Sequence, residues 1–197
     1  RELRGMYTLA IWDRKRKRML IARDRLGIKP VYYSRQSGGV VFASEVRSLL
    51  ASGRVSRDLN PAATQGYFAM GSSPLPETPL RDVEALPPGH YLLLENGKQT
   101  LKPYWQLRFE EEAGPSAAEW SEQVQAALID SMRRQMVADR PVGIFLSGGI
   151  DSSAMVALAR HVEHAKLRTY SVVFGEKAYN EAPSSRQIAA QFETEHH

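Results

Sequence analysis

Ser147-Gly148-Gly149-Ile150-Asp151-Ser152-Ser153 decides how this chain reads. The apolar run Val142 to Leu146 stands directly before it, and a helix-forming stretch, Ala154 to Arg160, follows. The order is strand, glycine-rich loop, helix. Such a turn aims backbone N–H groups and a helix N-terminus at one spot, which makes an anion site. Ser147 and Ser152 add hydroxyls, and Ser153 either adds a third or begins the helix. Asp151 adds a carboxylate that would repel a bare phosphate, so its natural use is to hold Mg²⁺, directly or through water. The loop reads as a seat for Mg-bound phosphates or pyrophosphate; the plainer alternative is an ordinary glycine-rich βα turn. It is not a Walker A loop, because no lysine lies between Val142 and Arg160 and that motif needs Gly-Lys-Ser/Thr. The third glycine of the dinucleotide fingerprint is also missing.

Downstream, Thr169 to Phe174 is a second strand, and Glu181 to Glu193 is a helix with Ala182, Ile188, Ala189 and Phe192 on its apolar face. This β-loop-α-β-α order predicts a parallel sheet. Upstream, Ser116 and Glu119 form a capping box. Trp120, Val124, Leu128, Met132 and Met136 then recur at steps of four, the apolar stripe of a long amphipathic helix that should face a core. The acidic, broken stretch from Glu110 to Pro115 is the best boundary, giving domains over 1–112 and 113–197.

The segment up to about Arg57 is rich in strands. Tyr7–Trp12 and Arg18–Arg23 flank the charged run Arg14-Lys15-Arg16-Lys17-Arg18. Nothing aromatic interleaves that run, so it reads as a solvated hairpin turn rather than a nucleic-acid patch. Val31–Ser34 and Val40–Ala43 are further strands. Ser44 to Ser52 is a short helix, with Ser44 as its cap and Gly53 at its end. Asn60 to Ala69 is another helix, with Asn60 as cap and Pro61 in its first position. Tyr91–Leu94 and Gln99–Trp105 make a hairpin around Asn96-Gly97, a strong turn signal. Arg23, Asp24 and Arg25 read as a structural ion cluster fixing the loop before Gly27.

A chain of 197 residues, 43% hydrophobic and 24% charged, belongs among globular proteins. It has no cysteine, which excludes disulfides, thiolate metal sites and a cysteine nucleophile among these residues. No apolar stretch approaches the ~18 residues of a membrane span. Arg1 is no start methionine, and both ends read as cuts through a longer polypeptide. His161, His164, His196 and His197 lack the carboxylate cluster that would complete a metal set.

Several motifs, in one order, resemble a known family. Ser147 to Ser153 is similar to the pyrophosphate loop of the ATP pyrophosphatases, and with Pro141 to Leu146 it resembles the start of the synthetase domain of glutamine-dependent asparagine synthetases. Arg23 to Tyr33, Phe42 to Val46 and Leu86 to Tyr91 resemble the second half of their glutaminase domain. Tyr179-Asn180-Glu181 and His196-His197 stand where the family has similar residues.

The resemblance implies the second half of an α/β/β/α N-terminal-nucleophile sandwich, then the first βαβα of a doubly wound parallel-sheet domain. It implies a machine in which a glutaminase releases ammonia, a tunnel carries it, and a synthetase activates aspartate with ATP and Mg²⁺ as an acyl adenylate. Ser147, Gly148, Gly149, Asp151 and Ser152 match the pyrophosphate loop, with Ser153 beside them and Asp151 toward Mg²⁺. Leu146 matches a position whose backbone lies near the nucleotide, and Val172 or Val173 one that contacts adenine; sheet core is the alternative for these apolar positions. The implied partners are ATP, glutamine and aspartate, with no nucleic acid and no membrane. A cytoplasmic location is expected, and a homodimer is left open. The nucleophilic cysteine would precede Arg1 and the acceptor-binding residues would follow His197, so the chain alone is expected to be inactive. Two other readings are a relative that amidates a different carboxylate and a non-catalytic nucleotide-binding module.

Overall fold

A computed structural model of the chain describes residues 3–109, 114–162, 167–176 and 180–197. Most of the acidic boundary stretch, and with it the expected division at 112–113, lies outside the described residues, as do His164 and Tyr179. The chain divides into two compact units, Arg1–Glu110 and Glu111–His197.

The first unit holds two antiparallel sheets. One has the order β1 (Thr8–Asp13), β2 (Arg18–Arg23), β6 (His90–Glu95), β7 (Lys98–Pro103). The other has the order β4 (Gly39–Ala43), β3 (Tyr32–Gln36), β5 (Glu84–Ala85). Alternation along the strands explains the layers. Ile21 and Leu92 from the first sheet meet Tyr33, Val40 and Phe42 from the second in one apolar cluster. The opposite face of the second sheet, with Tyr32, Val41 and Ala43, packs on Leu49 of helix α1 (Val46–Ala51). Among the described residues this gives sheet, sheet and helix.

Local chemistry accounts for the connections. The turn between β1 and β2 is held by Asp13, whose Oδ1 accepts from the backbone N–H groups of Lys15 and Arg16 at 3.1 Å each. Arg18 reaches its other oxygen at 3.3 Å, so the basic run is an exposed, capped turn. Asn96 (φ 51°) and Gly97 (φ 72°) both take the left-handed backbone that a two-residue hairpin needs. Helix α2 (Pro61–Met70) starts as expected, with the Asn60 side chain accepting from the Ala63 N–H. Ser44 does not cap α1. That helix starts one residue later than the serine could serve, after an extended Glu45 with no side-chain cap bond. The Tyr104 hydroxyl closes the unit, donating to the Arg23 carbonyl at 2.7 Å and lying 2.8 Å from the Tyr7 hydroxyl.

The second unit opens with α3 (Ala117–Gln135), whose Ser116–Glu119 capping box forms as read. Then come β8 (Gly143–Phe145), α4 (Ile150–Val162), β9 (Arg168–Tyr170), α5 (Ala182–Gln191) and β10 (Glu195–His196). The three strands form a parallel sheet of order β10-β9-β8. Met132 of α3, Val156 and Ala159 of α4, and Ala189 of α5 pack with Leu146 and Leu167 in one core.

Two expectations are corrected here. The strand from Thr169 to Phe174 stops at Tyr170, because the ladders beside it end at the pairs Phe145↔Tyr170 and His196↔Thr169. Beyond Ser171 the backbone has no strand to pair with, and Val172, Val173 and Phe174 stand exposed. The apolar stripe of α3 is covered only at its end. Met132 is buried, whereas Trp120, Val124 and Leu128 line an open groove with Ala154, Ala157 and Leu158 of α4.

Candidate functional site

The glycine-rich loop joins β8 to the first turn of α4, which begins at Ile150. Strand side chains alternate, so Leu146 turns into the core and is almost fully buried, while Phe145 turns out. Leu146 is also tied by its backbone. Its N–H donates to the Tyr170 carbonyl at 2.8 Å, and its own carbonyl accepts from the Ser171 hydroxyl. The strand end is therefore fixed before the loop begins.

Within the loop the two hydroxyls engage the amides and each other. The Ser147 N–H donates to Ser152 Oγ at 3.3 Å, and the Gly149 N–H donates to Ser147 Oγ at 3.3 Å. The two oxygens are 3.0 Å apart, and Ser152 Oγ also donates to the Gly149 carbonyl at 3.1 Å. Serine oxygens thus accept where an anion's oxygens could. The Ser153 N–H donates to the Gly149 carbonyl at 3.0 Å as the first bond of the helical ladder, which puts Ser153 in the helix.

Gly148 has φ +82°, and a Cβ there would lie 2.6 Å from Ser184 Cβ and 2.8 Å from the Ser185 nitrogen. The loop backbone therefore presses against the first turn of α5. The starts of two helices, α4 and α5, meet at one glycine, and both bring positive dipole ends to the same place. Ser171, Ser184 and Ser185 are the residues that the sequence reading missed. Ala182-Pro183 marked the start of α5, but no local signal reports what a helix start touches.

Asp151 lies in the first turn of α4, exposed, and no described residue bonds to its carboxylate. Among the described residues no cluster of three or more histidines or carboxylates could cage a metal. A lone carboxylate next to a turn of backbone N–H donors could hold a magnesium ion whose other ligands are phosphate oxygens and water. Val172 and Val173 follow β9, exposed and outside its ladder. They stand near the carboxyl end of a parallel strand, where α/β sheets bind ligands.

In the first unit, Arg23 and Asp24, read together with Arg25 as an ion cluster, bond to backbone instead of to each other. Asp24 is buried, and its carboxylate accepts from the backbone N–H groups of Leu26, Ile28 and Lys29 at 3.1, 3.0 and 2.9 Å. Burial pushes its pKa up, but the backbone donors together outweigh that and hold it below the ordinary value. Arg23 donates to the carbonyls of Lys29, Leu86 and Gly27 at 3.0, 2.7 and 2.6 Å. Both charges serve backbone shape.

Comparison with known proteins agrees with the division into two units. Residues 1–105 match the family model of the glutamine amidotransferase domain, and residues 123–197 match that of asparagine synthase. A putative glutamine-hydrolysing asparagine synthetase 2 of Methanocaldococcus jannaschii is 32% identical over 202 residues, covering 100% of this chain and 39% of that protein. The glutamine-hydrolysing asparagine synthetases 3 and 1 of Bacillus subtilis are 31% and 35% identical, covering 99% and 96% of this chain. The chain spans about a third of the length of these relatives, 34% and 30% for the Bacillus pair. Sequence motifs, a strand–loop–helix seat and two family models in the same order agree: the chain belongs to the glutamine-dependent asparagine synthetase family.

Proposed function

We propose that residues 113–197 begin an ATP-binding synthetase domain and that residues 1–112 are the C-terminal part of a glutaminase domain. The reaction would be the amidation of aspartate, with ATP cleaved to AMP and pyrophosphate through an acyl adenylate, and with ammonia drawn from glutamine. One observation carries the nucleotide reading: a loop of small residues pressed between two helix starts, its amides matched to oxygen acceptors.

Each residue has a part in this reading. Gly148 and Gly149 let the backbone approach the pyrophosphate, and the N–H groups of Ser147 and Gly149 donate to it. Ser147 and Ser152 rotate their hydroxyls from each other toward phosphate oxygens, and Ser153 begins the helix that directs its dipole there. Asp151 holds Mg²⁺, whose contribution is to neutralise phosphate charge. Leu146 anchors the strand end, and Val172 or Val173 offers backbone groups to adenine. The nine residues Leu146, Ser147, Gly148, Gly149, Asp151, Ser152, Ser153, Val172 and Val173 form the proposed site. No cysteine occurs in the sequence, so a cysteine nucleophile for glutamine hydrolysis is not among these residues.

Asp151→Ala tests the reading in a polypeptide extended to the length of the relatives. ATP–pyrophosphate exchange should be abolished while ammonia release from glutamine persists. Normal exchange in the variant would refute the role given to Asp151.

A further inference from the structure

One bond of the parallel ladder is replaced where β8 and β9 end. In a parallel pair, a residue that faces its neighbour bonds it with both backbone groups. Its N–H donates to the residue before its partner, and its carbonyl accepts from the residue after it. The pair Phe145↔Tyr170 makes Ser171 the next partner, that of Leu146. The Leu146 N–H follows the pattern and donates to the Tyr170 carbonyl at 2.8 Å. By the same pattern its carbonyl would accept from the Val172 N–H. It accepts instead from the Ser171 hydroxyl.

The backbone of Ser171 stays in the sheet on its other side, where its N–H donates to the His197 carbonyl at 2.9 Å. The serine thus holds two strand ends, Leu146 with its side chain and His197 with its backbone. Leu146 keeps a satisfied carbonyl, and the Val172 N–H is released. No described residue accepts from that N–H, and Val172 is 63% exposed. Water serves an exposed amide, so the release costs little. Its place gives it a use, because α/β sheets bind ligands beyond the carboxyl ends of their strands.

We infer that Ser171 is a positioning residue: by taking the Leu146 carbonyl, its hydroxyl presents the Val172 N–H to an acceptor nitrogen of the nucleotide's base. This rests on the nucleotide reading and sharpens it, since the ladder position selects Val172 over Val173. It also joins the two ends of the ligand. Leu146 directly precedes the glycine-rich loop, so one hydroxyl fixes the strand end that leads to the phosphates and frees the donor for the base. In Ser171→Ala the Leu146 carbonyl takes back the Val172 N–H, which closes the ladder and withdraws the donor.

Two measurements on a polypeptide extended to the length of the relatives test this. Amide hydrogen exchange, resolved at Val172 by mass spectrometry with electron-transfer fragmentation, reads the ladder. The Val172 amide should exchange roughly tenfold more slowly in Ser171→Ala, and should stay fast in Ser171→Thr, which keeps the hydroxyl. A serine that merely braces the strand end predicts the opposite, because its loss would loosen the backbone and speed exchange. ATP–pyrophosphate exchange reads the site. Ser171→Ala should raise the KM for ATP about three- to tenfold, the effect of one neutral hydrogen bond, with kcat within about twofold, and Ser171→Thr should reverse the rise. Mg-bound tripolyphosphate carries the phosphates without the base and should inhibit all three proteins equally. Unchanged or faster exchange at Val172 in Ser171→Ala, an unchanged KM, or an equal loss of tripolyphosphate binding would overturn the inference and leave the nucleotide reading standing. No ATP–pyrophosphate exchange in the unsubstituted polypeptide would overturn both.

Discussion

Replacing Gly148 by alanine tests the packing at the loop directly. Two costs add. An L-residue at φ +82° pays for a left-handed backbone, roughly 1–2 kcal/mol. The new methyl would also lie 2.6 Å from Ser184 Cβ, 2.8 Å from the Ser185 nitrogen and 2.9 Å from the Ser184 carbonyl carbon. These are Cβ and backbone atoms, so no rotamer change relieves the contact, and the first turn of α5 must shift. Overpacking of this kind costs typically 1–3 kcal/mol. The sum is a loss of ~2–5 kcal/mol in the second unit. Gly149→Ala is the control: a Cβ there meets only Ser147 Oγ, at 3.4 Å, and its cost should stay below about 1 kcal/mol. Urea unfolding followed by far-ultraviolet circular dichroism reads both variants. Ser184→Gly should restore part of the loss, since it removes the nearest atom. Equal midpoints for Gly148→Ala and Gly149→Ala would refute the packing argument.

Two further outcomes follow from the first unit. Burial, then the hydrogen bond to Glu84 at 2.5 Å, raises the Tyr33 pKa from 10.0 to about 12. The neutral phenol is favoured in the fold, so its contribution is complete below pH 10 and is lost as pH rises through 12. The loss is ~2–3 kcal/mol for a shift of this size; Tyr33→Phe should flatten the stability profile across that window, and an unchanged profile would count against the reading. Asp24 has the opposite sign. Its lowered pKa stabilises the fold above the ordinary value of 3.8, and the contribution is lost as pH falls below it through the folded value. Asp24→Ala would strand three backbone donors and should cost ~3–5 kcal/mol by urea titration; a loss under about 1 kcal/mol would mean that water serves those amides as well.

Legibility in the sequence followed the range of the interaction concerned. Signals carried by neighbouring residues were clear. Asn60-Pro61 opened α2, Ser116 and Glu119 opened α3, and Asn96-Gly97 turned the hairpin. Each depends on atoms within a few residues of each other. The glycine-rich loop was legible for the same reason, as strand, loop and helix in a single stretch. Contacts between distant segments were not. Val172 to Phe174 carry strand-forming side chains, but whether they form a strand depends on where β8 and β10 end. The two-residue strands β5 and β10 are too short for any period to appear. The Trp120–Leu128 stripe showed which face of α3 is apolar, but not that the face is left uncovered. Ser184 could not be linked to Gly148 from the sequence, because nothing in either stretch encodes the other's position. Arg23 and Asp24 were read as structural, and what they hold is backbone rather than one another.

The Tyr104 clasp has a consequence for how the chain folds. Its hydroxyl joins residues 81 and 97 positions away, and β2 pairs with β6 across most of the unit. Closing such distant contacts costs chain entropy before any of them returns stability, and folding slows as mean contact separation rises. On a ribosome that makes about 5–20 residues per second, the first four strands emerge several seconds before β6 can pair with β2. During that interval the edge of β2 that β6 will pair stays open. The first unit is therefore expected to fold late and all at once, with Tyr104 among the last groups to lock.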